Sequence, residues 1–196
     1  TFNDTPWASG PAPLGYGSSY TFATTVSFGP DSGNKYITTY FRRTFVVEDP
    51  SRIESMNLRI LRDDGAVVYI NGQEAYRVLM PEGPITYTNY ALNAGNYALE
   101  TAAVSNSAVL VLVPGTNIVA VEIHQGTASS SDSILAYRSS ALENAFSYAA
   151  SSILAFFAPS KVRVLVPSSQ VSGGLSSFAL IVRPLASWSM MKTRVP

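Results

Sequence analysis

The 196-residue chain contains no cysteine. That removes disulfide staples, thiolate nucleophiles, cysteine-ligated zinc and iron–sulfur clusters in one step. It has a single histidine, His124, so a Ser-His-Asp relay would have only that residue to use. No Gly-x-Ser-x-Gly elbow presents a serine to it, and the expectation is a protein that is not an enzyme. Charge is also scarce: Asp, Glu, Lys and Arg make up 13% of the chain, about half the usual share. Hydroxyls and amides of Ser, Thr, Asn and Tyr must then cover much of the surface. That composition suits extracellular or cell-surface work, sugar contact or close subunit packing. No apolar run reaches the ~18 residues of a membrane span; the nearest, 145–159, is short and interrupted by serines. Thr1-Phe2-Asn3-Asp4 has neither the charged nor the apolar region of a secretory leader, so the chain reads as processed or as a fragment.

Acid is missing from one end. All 13 acidic residues lie at or before Glu143, where 8 Lys/Arg leave a balance of −5. Residues 144–196 carry Lys161, Arg163, Arg183, Lys192 and Arg194 without an acid, a balance of +5. Five charges spread over 53 residues are too dilute for a nucleic-acid patch. The split fits a tail that docks on an acidic surface, its own or a neighbour's.

What is present is a succession of short strands. Arg62-Asp63-Asp64-Gly65 reads as a tight acidic turn, followed by the apolar run Ala66 to Ile70 and then Asn71-Gly72. Asn-Gly between strands is a strong hairpin signal, because both central positions of a type I′ turn need positive φ. Tyr36 to Glu48 alternates strictly, with Ile37, Phe41, Phe45 and Val47 on one face and Tyr36, Thr38, Tyr40, Arg42 and Thr44 on the other. Met56, Leu58 and Ile60 alternate in the same way. Tyr20–Phe28, Ala108–Val113, Asn117–His124 and Ile134–Tyr137 are further predicted strands. Thr1–Gly17 reads as an extended surface segment anchored by Trp7, and 80–97 as a long loop through Tyr87, Tyr90 and Tyr97. Past it, Ser140–Phe157 is the one helical candidate, with strand-like segments at 161–166 and 177–182. The expected fold is an all-β antiparallel jelly-roll sandwich over 1–140 with a basic C-terminal extension over 141–196.

Trp7-Ala8-Ser9-Gly10-Pro11-Ala12-Pro13-Leu14-Gly15-Tyr16-Gly17 and Tyr36 to Phe45 resemble bacterial extracellular modules with a galactose-binding-like jelly roll. The Asp-Asp-Gly hairpin, Gly115 to Gln125 and Ser130-Ser131-Asp132 continue the resemblance in order, so that it covers residues 5–137. The units are also similar to sugar-binding domains appended to secreted hydrolases and adhesins. The resemblance implies a non-catalytic module that binds carbohydrate or another cell-surface polymer. It departs at both ends: the family's first strand, ahead of Trp7, is absent or cut off, and nothing beyond Tyr137 is similar. An open first-strand position can be filled by residues 161–182, in cis or in a neighbouring copy. The second function to weigh is therefore a structural subunit of a filament or sheath built by strand donation.

Asp63 and Asp64 are the first candidates for ligand contact, and adjacent carboxylates at a turn are oxygen ligands suited to Ca²⁺, the candidate cofactor. The pair is also similar to one that serves calcium-dependent sugar binding in lectins of the protective-antigen type. A plain Asx turn with Asp64 capping the bend explains the same residues. Asn71, Glu74 and Arg77 on the hairpin, and Tyr87 and Tyr90 in the loop, complete the candidate ligand contacts, since sugars stack on aromatic faces. Glu122 and His124 share one face of a strand; they read as a structural pair, and Asp132 as a loop cap.

Overall fold

The computed structural model describes residues 3–93, 98–143 and 191–194. The described residues form two β-sheets packed face to face, with almost no helix. The all-β sandwich expected from the strand pattern is observed.

The long alternating segments form the strands they predict. β4 (Thr38–Val47), β5 (Ile53–Asp63), β6 (Gly65–Ile70), β7 (Gln73–Val78) and β9 (Gly115–His124) carry the alternation. Their inward residues, Phe41, Leu58, Ile60, Val68, Ile70, Val121 and Ile123, meet Leu14 and Leu135 in one buried core. Burying each such side chain stabilises the fold by about 1.5–3 kcal/mol before entropy is counted. The Asn71-Gly72 turn has φ of 49° and 85°, the backbone its sequence calls for. Past the turn, Val68 faces Tyr76 while Tyr69 faces Glu74. Ala75 is the extra residue of this bulge and is buried in the core.

β1 (Ala8–Gly10), β2 (Leu14–Tyr16), β3 (Thr24–Thr25), β8 (Ala98–Ala103), β10 (Ser133–Glu143) and β11 (Met191–Arg194) complete the sheets. The six-stranded sheet runs β1-β11-β4-β9-β6-β7, and the five-stranded sheet β3-β2-β10-β5-β8. All pairs are antiparallel except β2 with β3. β5 and β6 lie in different sheets, so Asp63 and Asp64, joined by a cis peptide, form the corner between them.

Several local expectations are corrected. Residues 14–16 are a buried strand rather than surface: a Cβ on Gly15 would stand 2.0 Å from the Ser133 carbonyl oxygen, so only glycine lets β2 lie this close. Of 20–28 only Thr24 and Thr25 pair as strand. Residues 108–113 are not a strand. Ser105 instead caps a short helix, α1 (Asn106–Leu110), its Oγ accepting from the Ala108 N–H at 3.3 Å. Residues 140–143, read as the start of a helix, are the end of β10. The remainder of that helix, the segments at 161–166 and 177–182, and Tyr97 lie outside the described residues. No helix among the described residues is long and apolar enough to cross a membrane.

Candidate functional site

The outer face of the six-stranded sheet is where polar and aromatic side chains converge. In β9 the odd residues 117–123 point into the core, which leaves Ile118, Ala120, Glu122 and a buried His124 on the sheet's other face. Register sets Tyr40 and Val67 on either side of Glu122, and Arg42 and Tyr69 on either side of Ala120. Arg77 lies opposite Val67, and Glu74 opposite Tyr69. Two short rows result across four strands: Tyr40-Glu122-Val67-Arg77 and Arg42-Ala120-Tyr69-Glu74.

Residues 79–93 fold over one end of these rows. Arg77 holds the loop's start, donating to the carbonyl oxygens of Pro81 and of Gly83, the latter at 3.0 Å. Its other nitrogens grip Glu74 at 2.9 and 2.6 Å, a bidentate fork that only a guanidinium offers. Farther along, the Thr38 hydroxyl donates to the Tyr87 carbonyl at 2.7 Å, and His124 Nδ1 meets the Asn89 carbonyl at 2.8 Å. Underneath, Val67, Met80 and Ala91 make a small second core with Tyr69 and Ile85 at its margin. Gly65 makes this packing possible: a Cβ there would meet Met80 Sδ at 2.6 Å and Ala91 Cβ at 2.8 Å. The glycine of Asp-Asp-Gly is thus needed for close approach of the loop.

The covered end is buried and the open end exposed. Tyr87 is 54% exposed and Tyr90 39%, while Tyr40, Tyr69 and Glu122 are half-buried. Burial, the Glu122 charge and nearby Tyr87 hold the Tyr40 hydroxyl's proton more tightly than usual. Burial, followed by the charges of Glu122 and Glu74, pushes Tyr69 up to about 12. Both rings therefore keep their O–H as a donor at neutral pH. His124 is fully buried, its Nε2 lies 3.0 Å from Glu122 Oε2, and its Nδ1 is also 3.0 Å from the Thr38 hydroxyl. With both ring nitrogens engaged, the histidine orients Glu122 and fastens the loop.

The other sequence-selected residues lie elsewhere. Asp63 and Asp64 are 3% and 4% exposed, inside the corner rather than on a contact surface. Asp64 Oδ2 accepts from the Gly126 N–H at 2.7 Å and the Ser130 hydroxyl at 3.3 Å, which ties the corner to the 125–132 loop. Asp63 is pushed up to about 8, first by burial, then by the hydrogen bond and charge of Asp64 and by Asp132, with Arg62 opposing. Among the described residues no group of three or more His, Asp or Glu is placed to hold a metal ion. Asn71 is a brace: its Nδ2 donates to the Val111 carbonyl and to Asn117 Oδ1, each at 2.8 Å, and its Oδ1 accepts from the Ile118 N–H at 2.9 Å. Asp132 accepts from the Ser131 hydroxyl at 2.7 Å.

Tyr40 and Tyr69 were not among the sequence candidates. Tyr40 could have been found, since it stands on the polar face of a strictly alternating strand. Tyr69 sits in an apolar run where only the register reveals its outward direction.

No protein-family model matches the chain, and no curated protein does. The chain is similar to the native α-L-rhamnosidase of Aspergillus terreus at 19% identity and a TM-score of 0.35, over 54% of this chain. The match spans 12% of that enzyme's length, a likeness too slight to carry an argument about activity.

Proposed function

We propose that this sandwich is a non-catalytic, galactose-binding-like jelly-roll module that works outside the cell and binds carbohydrate or a related surface polymer. The observation that carries the reading is the pair Tyr40 and Glu122, side by side on neighbouring strands, with Tyr69 close by and Tyr87 at the rim. Aromatic rings offer flat apolar faces to sugar rings, while their hydroxyls and the Glu122 carboxylate satisfy sugar hydroxyls. The site is preformed, because Arg77, Thr38 and His124 fix the loop before any ligand arrives, and that lowers the ordering cost of binding. The low overall charge and the hydroxyl-rich surface support the extracellular setting.

The test is calorimetric titration with a panel of neutral and acidic oligosaccharides, comparing the native chain with Tyr87→Ala. Tyr87 is exposed, so its removal leaves the fold intact. Losing one stacking ring, at about 1–1.5 kcal/mol, weakens binding roughly tenfold. Equal affinity in the variant, or no binding across the panel, would sink the proposal.

A further inference from the structure

Among the described residues, ten of the eleven strands come from residues 8–143; the eleventh, β11, comes from the far end of the chain. It does not cap an edge but lies inside the six-stranded sheet, between β1 and β4. Lys192, Thr193 and Arg194 pair with Arg42, Phe41 and Tyr40 on one side, and Met191, Lys192 and Thr193 with Gly10, Ser9 and Ala8 on the other. A strand position inside the sheet is thus filled from 47 residues beyond the end of β10 in sequence. Without β11, the backbone N–H and C=O groups of β4 at 40–42 form an open edge, the kind that accepts another strand. β1, three residues long, would lose its only pairing partner among the described strands.

Nothing in this register requires the incoming strand to belong to the same chain. Residues 144–190 separate β10 from β11, 47 residues with a maximum contour of roughly 150 Å. That contour is several times the ~15 Å radius of gyration of a domain of this size. The backbone bonds are the same whether β11 arrives in cis or from a neighbour. The choice is then set by effective concentration against chain concentration rather than by contact energy. We infer that the position between β1 and β4 is an assembly site for a second copy of this chain, which inserts its own Met191–Arg194 strand. Exchange that closes between two copies gives a dimer; exchange that passes on to a third gives a chain of sandwiches.

The absence of native cysteine makes the test clean. Ser9 and Lys192 are register partners, and Ser9 is exposed. Single variants Ser9→Cys and Lys192→Cys of the full chain are mixed, unfolded together, refolded at several concentrations and joined with a short bismaleimide. A Ser9–Lys192 heterodimer forms only when the strand of one copy occupies the slot of another. Its yield is expected to exceed that of either variant alone and to rise about tenfold for a tenfold rise in concentration while cis closure dominates. The double variant Ser9→Cys/Lys192→Cys should close within one chain at high dilution. Closure of the double variant with no heterodimer above the single-variant controls at any concentration would overturn the inference. A double variant that closes neither within nor between chains would overturn it too, because the strand would then not occupy the slot.

Discussion

Arg62 stands where the two sheets meet, and its removal should be one of the costlier single changes in the chain. Its side chain is 6% exposed and does three things. One guanidinium nitrogen donates to the Asp64 carbonyl at 2.7 Å, and another pairs with Glu100 Oε1 on β8. Its charge also offsets that of the neighbouring acids, in part countering the push on Asp63. Glu100 is bridged onward by the Tyr76 hydroxyl at 2.7 Å, so a single carboxylate links β5 and β8 of one sheet to β7 of the other. Burial of the ring, helped by Glu100, pushes Tyr76 up to about 12.

Replacing Arg62 with Met keeps the volume and removes every donor. A fully buried charge left alone costs about 3–5 kcal/mol. Glu100 is one-quarter exposed and keeps the Tyr76 bond, which lowers that figure, while the Asp64 carbonyl loses a donor, worth about 1–3 kcal/mol. The expected net loss is about 3 kcal/mol, or a melting temperature lowered by roughly 6–12 °C for a chain of this length. The assay is urea unfolding followed by circular dichroism, run as a cycle with Glu100→Gln. The neutral amide still accepts from Tyr76 and no longer needs a cation, so the double variant should be about 1–2 kcal/mol more stable than the sum of the singles implies. A loss below about 1 kcal/mol for Arg62→Met would refute the reasoning, as would strict additivity.

Two further outcomes follow from the same corner and its neighbour. Asp63 holds in the folded state a proton that the unfolded chain releases near 3.8; its stabilising contribution is full below that pH and is lost as pH rises through about 8. Asp63→Asn should therefore become more stable relative to the native chain between pH 4.5 and 8.5, and parallel urea midpoints across that range would count against it. Asn117 is fully buried, with Nδ2 donating to the carbonyls of Val113 and Gly115 at 2.8 and 3.1 Å and Oδ1 accepting from Val113 N–H at 2.9 Å. Asn117→Ala strands these backbone groups and should cost about 2–4 kcal/mol by chemical denaturation.

What the sequence revealed and what it hid divide along local and non-local physics. β4, β5, β9 and the Asn71-Gly72 turn are legible because period-two burial and the positive-φ demand of one turn act within a few residues. β8 was invisible: Ala98 to Ala103 is half alanine, with Thr101 its one β-branched residue and no aromatic, and its strand form comes from pairing with β5. α1 was misread as a strand because Ala108 to Val113 is apolar at every position, and the Ser105 cap decides the matter. Asp63 and Asp64 drew a ligand-contact reading because two adjacent carboxylates usually face water. Their burial rests on Gly126, Ser130 and Arg62, which no local pattern ties to them. The candidate site is legible one strand at a time, but Tyr40, Glu122 and Tyr69 become neighbours only once the register is known.

β4 connects the proposed binding face to the assembly slot. Tyr40 pairs with Glu122 of β9 on one side and with Arg194 of β11 on the other. An empty slot makes Tyr40–Arg42 an edge free to fray, and the row that should hold a sugar then loses one end. Because β11 braces the same residues in cis or in trans, a filled slot should favour ligand and ligand should favour a filled slot, by equal factors. A chain ending at residue 190 is expected to bind oligosaccharide several-fold more weakly than the full chain, and a peptide of residues 188–196 should restore the loss. Equal affinity with and without those residues would separate the two surfaces and leave β4 merely a strand they share.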